Sequence, residues 1–397
     1  MANRFPWQRI DLAAPGVADD TYAALAASSL AAQATLVHDP RWLAALAGEE
    51  QKSGRMYTLR DNTGLTGLAT FIVHPSRLPL ALGELTFFSR AVRRLDALAP
   101  PLVWAAADRE RETTMLSDLL ACVREDMGPT EVVFLESVAE GTAMYDLITP
   151  PTGRVAGFHA MLNGNLYRHR LASIPETFDG YLKLLGSKTR ADLRTNRKRF
   201  LAHVAQNCRT RCFRSAAEVP AFLDDALAIS RKTYQYRLLS AGLRDRDVLE
   251  RWYLRACELG WFRSYILYAN DQPIAFQVGY VHGDCFHAHE IGYDPGWGQH
   301  HIGIFLHTEI VADLAASGGT IRAFDFGNSD SLHKERLSTG HRVEGYFYLI
   351  PDDLKGRLMA HAMRATQKVS SSLGAVLDRY GIRRKTRDFL RRLGVSK

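Results

Sequence analysis

The sequence has few cysteines, and they form no recognisable framework. The five are odd in number and scattered, and no two of them stand in a CxxC pair. This excludes a disulfide scaffold and a paired zinc pattern, so reduced thiols are expected. Cys208 and Cys212 lie at a predicted break between a helix and a strand, where two small buried side chains are one interpretation and a metal site the other.

The sequence also has no long apolar run. The longest uncharged early stretch, 21–37, is rich in Ala and Ser and contains Gln33. That composition favours an amphipathic helix over a membrane span. Residues 1–20 lack the continuous apolar core of a secretory signal, so a cytoplasmic location is expected.

Length and composition predict a folded protein of two domains. The chain has 397 residues, of which 46% are apolar and 23% charged. This balance is typical of globular proteins and excludes a fibrous or disordered class. A chain of this length is too long for one ordinary core.

The net charge of +7 is concentrated in two places. Residues 188–214 hold nine Lys or Arg against one Asp, and residues 379–397 hold eight against one. Subtracting +8 and +7 from the total leaves about −8 for the remainder. Such local basicity indicates either an anionic partner or a solvated helix face.

Both halves of the chain alternate strands with helices, which predicts an α/β or α+β class. In the first half, strands are expected at 56–61, 67–75, 82–88 and 131–137, with helices after 38–43 and at 109–127. In the second half, strands are expected at 210–215, 261–269, 273–281, 285–293, 321–327 and 342–350, with helices at 187–205, 218–235, 246–259, 303–316 and 330–337 and a helical, basic final stretch, 352–397.

The order of elements in residues 187–350 resembles the GNAT acyltransferase fold throughout. Several stretches are similar, more narrowly, to GNAT-like proteins grouped with bacterial cellulose-biosynthesis accessory acyltransferases, which are themselves similar to the FemABX aminoacyl transferases. These stretches are HDPRWLAAL (38–46), SKTRADLRTNRKRF (187–200), GWFRSYILYANDQPIAFQVGYVHGD (260–284), GYDP (292–295) and DFGNSDSLHKERL (325–337).

The resemblance implies an α/β (α+β) protein with two tandem GNAT-like domains, each built on a mixed central sheet. The diverged N-terminal domain would span residues 1–165 and the catalytic domain residues 166–350. A helical basic tail would span residues 351–397.

The resemblance also implies acyl-CoA, with acetyl-CoA foremost, as the co-substrate, and no metal. Enzymes of this fold hold the coenzyme pyrophosphate on backbone N–H groups at a helix N-terminus. The matching residues here are Gln299, His300, His301, Ile302 and Gly303. The usual signature has Gln or Arg, two residues, Gly, one residue, and Gly or Ala, and only one glycine of it is kept.

Acyl transfer requires a base for the acceptor and a donor for the oxyanion. The fold places both on the strand before the phosphate loop, CFHAHEIGY. Simple alternation puts His287 and His289 on one face and Glu290 on the other. Glu290 or His289 is the candidate base. The alternatives are a Glu290 carboxylate paired with an arginine and a metal shared by His287 and His289.

Two further candidates lie in DFGNSDSLHKERL. Asp325 stands near the carboxyl end of a predicted strand, where it would orient the acceptor or the base. Lys334 matches a lysine that recurs after this strand in similar proteins and would neutralise a phosphate or an oxyanion, or else lie on the surface. A kinase metal motif is rejected because no glycine loop or HRD-type stretch accompanies the DFG sequence.

The basic segments leave three functions open. The first is acyl-CoA-dependent N- or O-acyl transfer to an anionic or sugar acceptor of cell-envelope or polysaccharide metabolism. The second is FemABX-like transfer from aminoacyl-tRNA, and the third a non-catalytic partner of a polysaccharide synthase. Residues 379–397 space apolar residues against arginines, which suits either an anionic membrane at the inner face or a helix docked on the domain.

Overall fold

The computed structural model describes residues 5–49, 51–82, 85–106, 108–205, 207–233, 236 and 242–379. The chain divides into two compact units: the first is Met1–Leu166 with Glu344–Lys397, and the second is Tyr167–Val343. The sequence-based boundaries after residues 165 and 350 remain a prediction.

The strands, in chain order, are β1 (Gln8–Ile10), β2 (Ser53–Asp61), β3 (Gly64–Leu82), β4 (Leu85–Ala97), β5 (Leu102–Val103), β6 (Glu131–Ala139), β7 (Arg154–Val155), β8 (Phe158–Ser173), β9 (Cys208–Phe213), β10 (Ser264–Ala269), β11 (Gln272–His282), β12 (Cys285–Tyr293), β13 (Ala323–Asp325) and β14 (Gly340–Pro351). The helices are α1 (Val17–Ala26), α2 (Pro40–Ala47), α3 (Arg109–Asp126), α4 (Ala143–Ile148), α5 (Phe178–Leu184), α6 (Ser187–His203), α7 (Val219–Ser230), α8 (Arg246–Glu258), α9 (Ile302–Ala315), α10 (Leu332–Leu337) and α11 (Leu354–Arg379). Short 3-10 turns occupy Leu36–His38, Ala216–Glu218 and Pro295–His300. The predicted mixed α/β class is confirmed.

In the first unit the strands follow the order β1-β2-β3-β4-β6-β14. All neighbours are antiparallel except β4 and β6, which are parallel over five residue pairs. Helices α3 and α4 pack on a core formed by alternate residues of these strands. In the predicted strand 131–137, Val133 and Leu135 lie in this core, whereas Val132 and Phe134 lie in a second core. A strand covered on both faces carries such a continuous apolar run.

The early stretch HDPRWLAAL has a structural role in the first unit. The Asp39 carboxylate caps α2 by accepting the backbone N–H of Arg41, and Pro40 fills the first helical position. His38 is buried, and its Nε2 lies 2.9 Å from the carbonyl oxygen of Pro100.

In the second unit the strands follow the order β8-β13-β12-β11-β10-β9. Strands β10, β11 and β12 form an antiparallel meander, and β13 is parallel to β12. The turns between the meander strands use left-handed backbone at Asn270, Asp271 and Gly283, as two-residue hairpin turns require. Helices α6 and α9 cover one face of this sheet.

The basic helix α6 has the predicted division into two faces. Leu193, Phe200 and Val204, the residue after the helix, are buried, whereas Arg194 and Lys198 are exposed. The helix begins at Ser187, as predicted, and Gly186 occupies the capping position without a side-chain hydrogen bond.

The last helix, α11, ends the described part of the chain. The predicted basic tail 351–397 is helical over Leu354–Arg379, and residues 380–397 lie outside the described residues. None of the described helices is both long enough and apolar enough to span a bilayer.

Candidate functional site

Strand β12 contains a bulge at His289. Val278 of β11 lies opposite Glu290, and Tyr280 lies opposite His287, so His289 has no partner on β11. Because Val278 and Tyr280 are two residues apart, they share a face of the sheet, and so do Glu290 and His287. The predicted placement of these two residues on opposite faces is wrong, since the extra residue shifts the alternation by one.

The sheet opens beside this bulge. Only 285–287 of β12 pair with β13, and 288–293 continue without it. The chain turns away after β13 at Gly327, which has a φ of +70°. A Cβ there would lie 3.0 Å from the carbonyl oxygen of Ala288, so glycine is required at this turn. The opening lies between residues 288–293 of β12 and the end of β13.

Helix α9 follows β12 after the 3-10 turn Pro295–His300, and its first turn is open. His301 is the capping residue, with a left-handed φ of 53°, and no side chain caps the backbone N–H groups. The first turn contains no acidic residue. A Cβ built on Gly303 would meet nothing within 4 Å. Free donors, the helix dipole and open space together make this helix start suitable for an anion.

The predicted phosphate-loop residues divide into two groups. Ile302 and Gly303 form the first turn of α9, but the Ile302 side chain is buried in the core. The exposed His301 provides the bend before the helix. Gln299 and His300 belong to the preceding 3-10 turn, Pro295–His300, and contact each other at 3.3 Å between their Nε2 atoms.

His300 is packed against the basic helix. Its ring stacks on His203 with centroids 4.0 Å apart and lies near Trp297. Burial lowers the pKa of His300, and the neighbouring His203 and His301 lower it further. A neutral ring in such a stack supports the loop and supplies little charge to a phosphate.

The Asp325 carboxylate joins two histidines on the face that carries Glu290. His169 Nε2 lies 2.6 Å from Asp325 Oδ1, and His287 Nδ1 lies 3.6 Å from Oδ2. The backbone N–H of Gly327 also donates to Oδ1 at 2.7 Å. Burial opposes the charged form of Asp325, but the contacts with His169 and His287 outweigh it and hold the pKa of this carboxyl below its usual range.

Glu290 is shifted toward its neutral form, because burial raises its pKa. The neighbouring His289 is exposed to solvent. Glu290 forms no ion pair with any residue that the structure describes, so the arginine-paired alternative is not supported. Its charge helps to raise the pKa of Tyr253 on α8, after burial of the tyrosine itself and the effect of Tyr280. The buried Tyr253 hydroxyl has no hydrogen-bond partner within the described ranges.

Lys334 secures the loop that follows β13. Its Nζ donates to the carbonyl oxygens of Gly327, Asn328 and Ser329 at 3.2, 2.8 and 3.2 Å. Burial lowers the pKa of Lys334, and the nearby Asp325 partly offsets this. These contacts give Lys334 a positioning role at the edge of the opening.

Sequence reasoning missed His169 and Arg170. His169 contacts Asp325, which is 156 residues away, and Arg170 forms a two-pronged contact with Asp330 at 2.9 and 3.0 Å. Both come from β8, outside the stretch 187–350 that resembles the GNAT fold. No local pattern signals such a contact. The basic run Tyr167–Arg170 was the only clue in the sequence.

No group of three His, Cys, Asp or Glu side chains among the described residues is arranged to hold a metal ion. All five cysteines are free, and Cys208 and Cys212 pack partly buried against the core of the second unit.

Comparison with known proteins places this site in a recognised domain. Residues 187–335 match the family model described as an acetyltransferase (GNAT) domain. No curated protein matches the chain by sequence. Among solved structures, FemX is 12% identical with a TM-score of 0.54, over 86% of this chain and 96% of FemX. A conserved protein of unknown function from Bacteroides thetaiotaomicron VPI-5482 is 14% identical with a TM-score of 0.50, over 87% and 99%.

At these identities the two structures show the fold alone. The family match covers the open helix start, the bulged strand and the Asp325 loop together. The chain is a transferase enzyme, as the sequence predicted, and its residues 187–335 match an acetyltransferase (GNAT) domain.

Proposed function

We propose that the protein transfers an acyl group from acyl-CoA, acetyl-CoA foremost, to an amine or hydroxyl group by direct attack. The observation that carries this proposal is the uncapped start of α9, which is joined to the bulged strand bearing Glu290 by one 3-10 turn. A site for the donor's anionic end and a site for the acceptor's proton thus belong to one continuous segment, 285–303.

The residues at the helix start fit the donor. The first backbone N–H groups of α9 would hold the pyrophosphate, and the space beside Gly303 would admit it. His301 shapes the bend, whereas Gln299 and His300 support it through the stack with His203. Because backbone groups supply the donors, loss of the usual glycines weakens the sequence signature without removing the site.

The bulge supplies the chemistry of the acceptor side. Glu290, with its raised pKa, would take the proton of the attacking amine or hydroxyl. The backbone N–H of His289, the residue without a ladder partner, would donate to the oxyanion. Asp325 would position the imidazole of His287, and Lys334 would hold the loop that borders the opening.

The acceptor class rests on resemblance. Similarity to the cellulose-biosynthesis accessory acyltransferases favours an anionic small molecule or sugar acceptor of cell-envelope or polysaccharide metabolism. A cytoplasmic enzyme, peripheral at the inner membrane face, is part of the same proposal.

Calorimetry with acetyl-CoA, and with desulfo-CoA, which keeps the pyrophosphate but has no thioester, tests the donor. Acetyl-CoA should bind, and the thioester absorbance should fall when a pool of amino sugars and sugar nucleotides is added. Failure of every acyl-CoA tested to bind would remove the proposal. Binding of acyl-CoA without turnover of any acceptor in the pool would support the donor site and exclude the proposed acceptor class.

A second function, transfer from aminoacyl-tRNA, is favoured by the exposed cations of α6 and by the resemblance to FemABX transferases. Arg194 and Lys198 are exposed one turn apart, whereas Arg197 is engaged with Glu309 and Phe305. If the protein uses aminoacyl-tRNA, the double substitution Arg194→Glu with Lys198→Glu should abolish RNA copurification. Any RNA binding that remains should depend less steeply on salt concentration. Arg194→Lys with Lys198→Arg is the matched control. RNA-free protein that binds acyl-CoA would exclude this alternative.

A further inference from the structure

The outer face of α11 exposes leucines. The helix packs on the first unit through Met359 and Ala360, which are buried in a core with residues of β3, β4, β6 and β14. Leu354 and Leu358, one turn apart, are 71% and 65% exposed. A helix on a globular unit normally turns its leucines inward, so two outward leucines indicate a surface that meets another apolar phase.

An exposed aromatic residue lies on the same side of the first unit. Phe88 is 51% exposed and lies opposite Leu80 across the β3–β4 hairpin. Leu80 packs against the core beneath α11. Because residues directly opposite in a hairpin share a face, Phe88 lies on the side of the hairpin that faces α11.

Cations are interleaved with these apolar groups. Arg90, two residues from Phe88, and Lys355, next to Leu354, line one cavity together with Met359. Arg357 is also exposed and pairs with Asp352 at 3.3 Å. We refer to Phe88, Arg90, Leu354, Lys355 and Leu358 as the apolar–basic patch.

The sequence beyond the described residues continues this charge. Residues 380–397 hold seven Lys or Arg against one Asp, and they follow α11 directly. A stable hold on a bilayer needs an apolar anchor together with a polybasic segment, because either signal alone is weak. Helix α11 with its continuation provides the two in one stretch of chain.

We propose that the apolar–basic patch binds the surface of a bilayer that contains anionic lipid. Leucine and phenylalanine side chains enter the boundary of the acyl chains, while the stems of Arg90 and Lys355 run beside them and place their charges at the phosphates. A protein partner fits less well, because a dry interface core depletes lysine. The inference goes beyond the proposed acyl transfer and does not depend on it.

Flotation of the full-length protein with vesicles tests the patch. Vesicles of phosphatidylcholine and vesicles of phosphatidylcholine with phosphatidylglycerol are compared at low and high salt. Wild type should float with the anionic vesicles, and Leu354→Gln with Leu358→Gln should weaken partitioning about tenfold or more. Leu184→Gln with Leu332→Gln removes two exposed leucines of the second unit and should leave partitioning unchanged.

Three results would overturn the proposal. The first is absence of wild-type binding to anionic vesicles. The second is full binding by the Leu354/Leu358 variant together with loss of binding after Arg383→Glu and Arg384→Glu, which would assign the contact to the tail alone. The third is a wild-type dimer in sedimentation that the leucine variant converts to a monomer. Lys355→Glu, which removes no packing, should also weaken binding, and Lys355→Arg should preserve it.

Discussion

The helix that follows the antiparallel strands begins in opposite ways in the two units. In the first unit, the Asp108 side chain accepts the backbone N–H groups of Glu110 and Arg111, and acids at Glu110 and Glu112 occupy the first turn of α3. In the second unit, α9 begins at Ile302, after His301, with no side-chain cap and no acid in its first turn. The first helix start is therefore closed to an anion, and the second is open.

The parallel strand pairs of the two units also differ, because the pair in the first unit is closed and the pair in the second unit is open. Strand β4 pairs with β6 over Arg93–Ala97, up to its last residue. Strand β12 pairs with β13 only over its first three residues and leaves 288–293 free on that side. Two units with the same order of elements thus differ at the two places where a donor would enter. This difference favours the second unit as the catalytic one.

The largest expected effect comes from Glu290→Gln. If Glu290 takes the proton of the acceptor, this change should lower kcat by about a hundredfold to ten-thousandfold. The affinity for acyl-CoA should stay near the wild-type value, because the donor contacts lie on α9. Steady-state kinetics and calorimetry measure the two effects. A variant with unchanged kcat would show that Glu290 is not the base.

The role of Glu290 also predicts how activity and stability depend on pH. Burial raises the pKa of Glu290 in the fold, so wild-type activity should fall as the pH drops through a value above the usual 4.5. The raised pKa also means that the buried charge opposes folding at neutral pH. Glu290→Gln should therefore raise the free energy of unfolding at pH 7, and the gain should vanish near pH 4. Denaturant unfolding at both pH values checks this, and equal stability throughout would contradict it.

A smaller effect is expected when the second helix start is made to resemble the first. Gly303→Asp places a carboxylate where α3 carries acids, and the space around Gly303 accommodates it. The affinity for acetyl-CoA should fall about tenfold or more by charge repulsion. The fold should not suffer, because an acid at a helix start is stabilising.

Gly303→Ala and Gly303→Asn separate charge from shape. The alanine variant should gain helix stability with little loss of affinity, and the asparagine variant should fall between alanine and aspartate. Equal affinity in the aspartate and asparagine variants would show that no anion lies at this helix start.

Local chemistry made much of the second unit predictable. The bounds predicted for 285–293 coincide with β12, because the turn at Gly283 and the Asp294-Pro295 pair mark its ends in the sequence. The bulge at His289 was not predictable, since it depends on the register with β11. His169 was missed for the same reason, because its contact with Asp325 joins residues far apart in the chain.

The first unit was harder to predict. Strand β3 runs through Pro75 and Pro79 to Leu82, whereas the predicted strand ended at residue 75. Within the described pairings, β2 accompanies β3 only as far as Val73, and β4 alone pairs with the rest. Prolines are tolerated there, because one side of the strand needs no N–H donors. The sequence shows the two prolines, but it does not show which side of β3 lacks a hydrogen-bonded neighbouring strand.

The smallest expected effect tests the capped helix of the first unit. Asp108→Ala removes the carboxylate that accepts the first N–H groups of α3 and should cost about 1 kcal/mol in the free energy of unfolding. The affinity for acetyl-CoA should not change, because the donor site assigned above lies on α9. Asp108→Ser, which restores a capping oxygen, should recover most of the stability. A clear loss of acetyl-CoA affinity in Asp108→Ala, rescued by Asp108→Ser, would instead mean that the first helix start belongs to a donor site, and the contrast between the two units would fail.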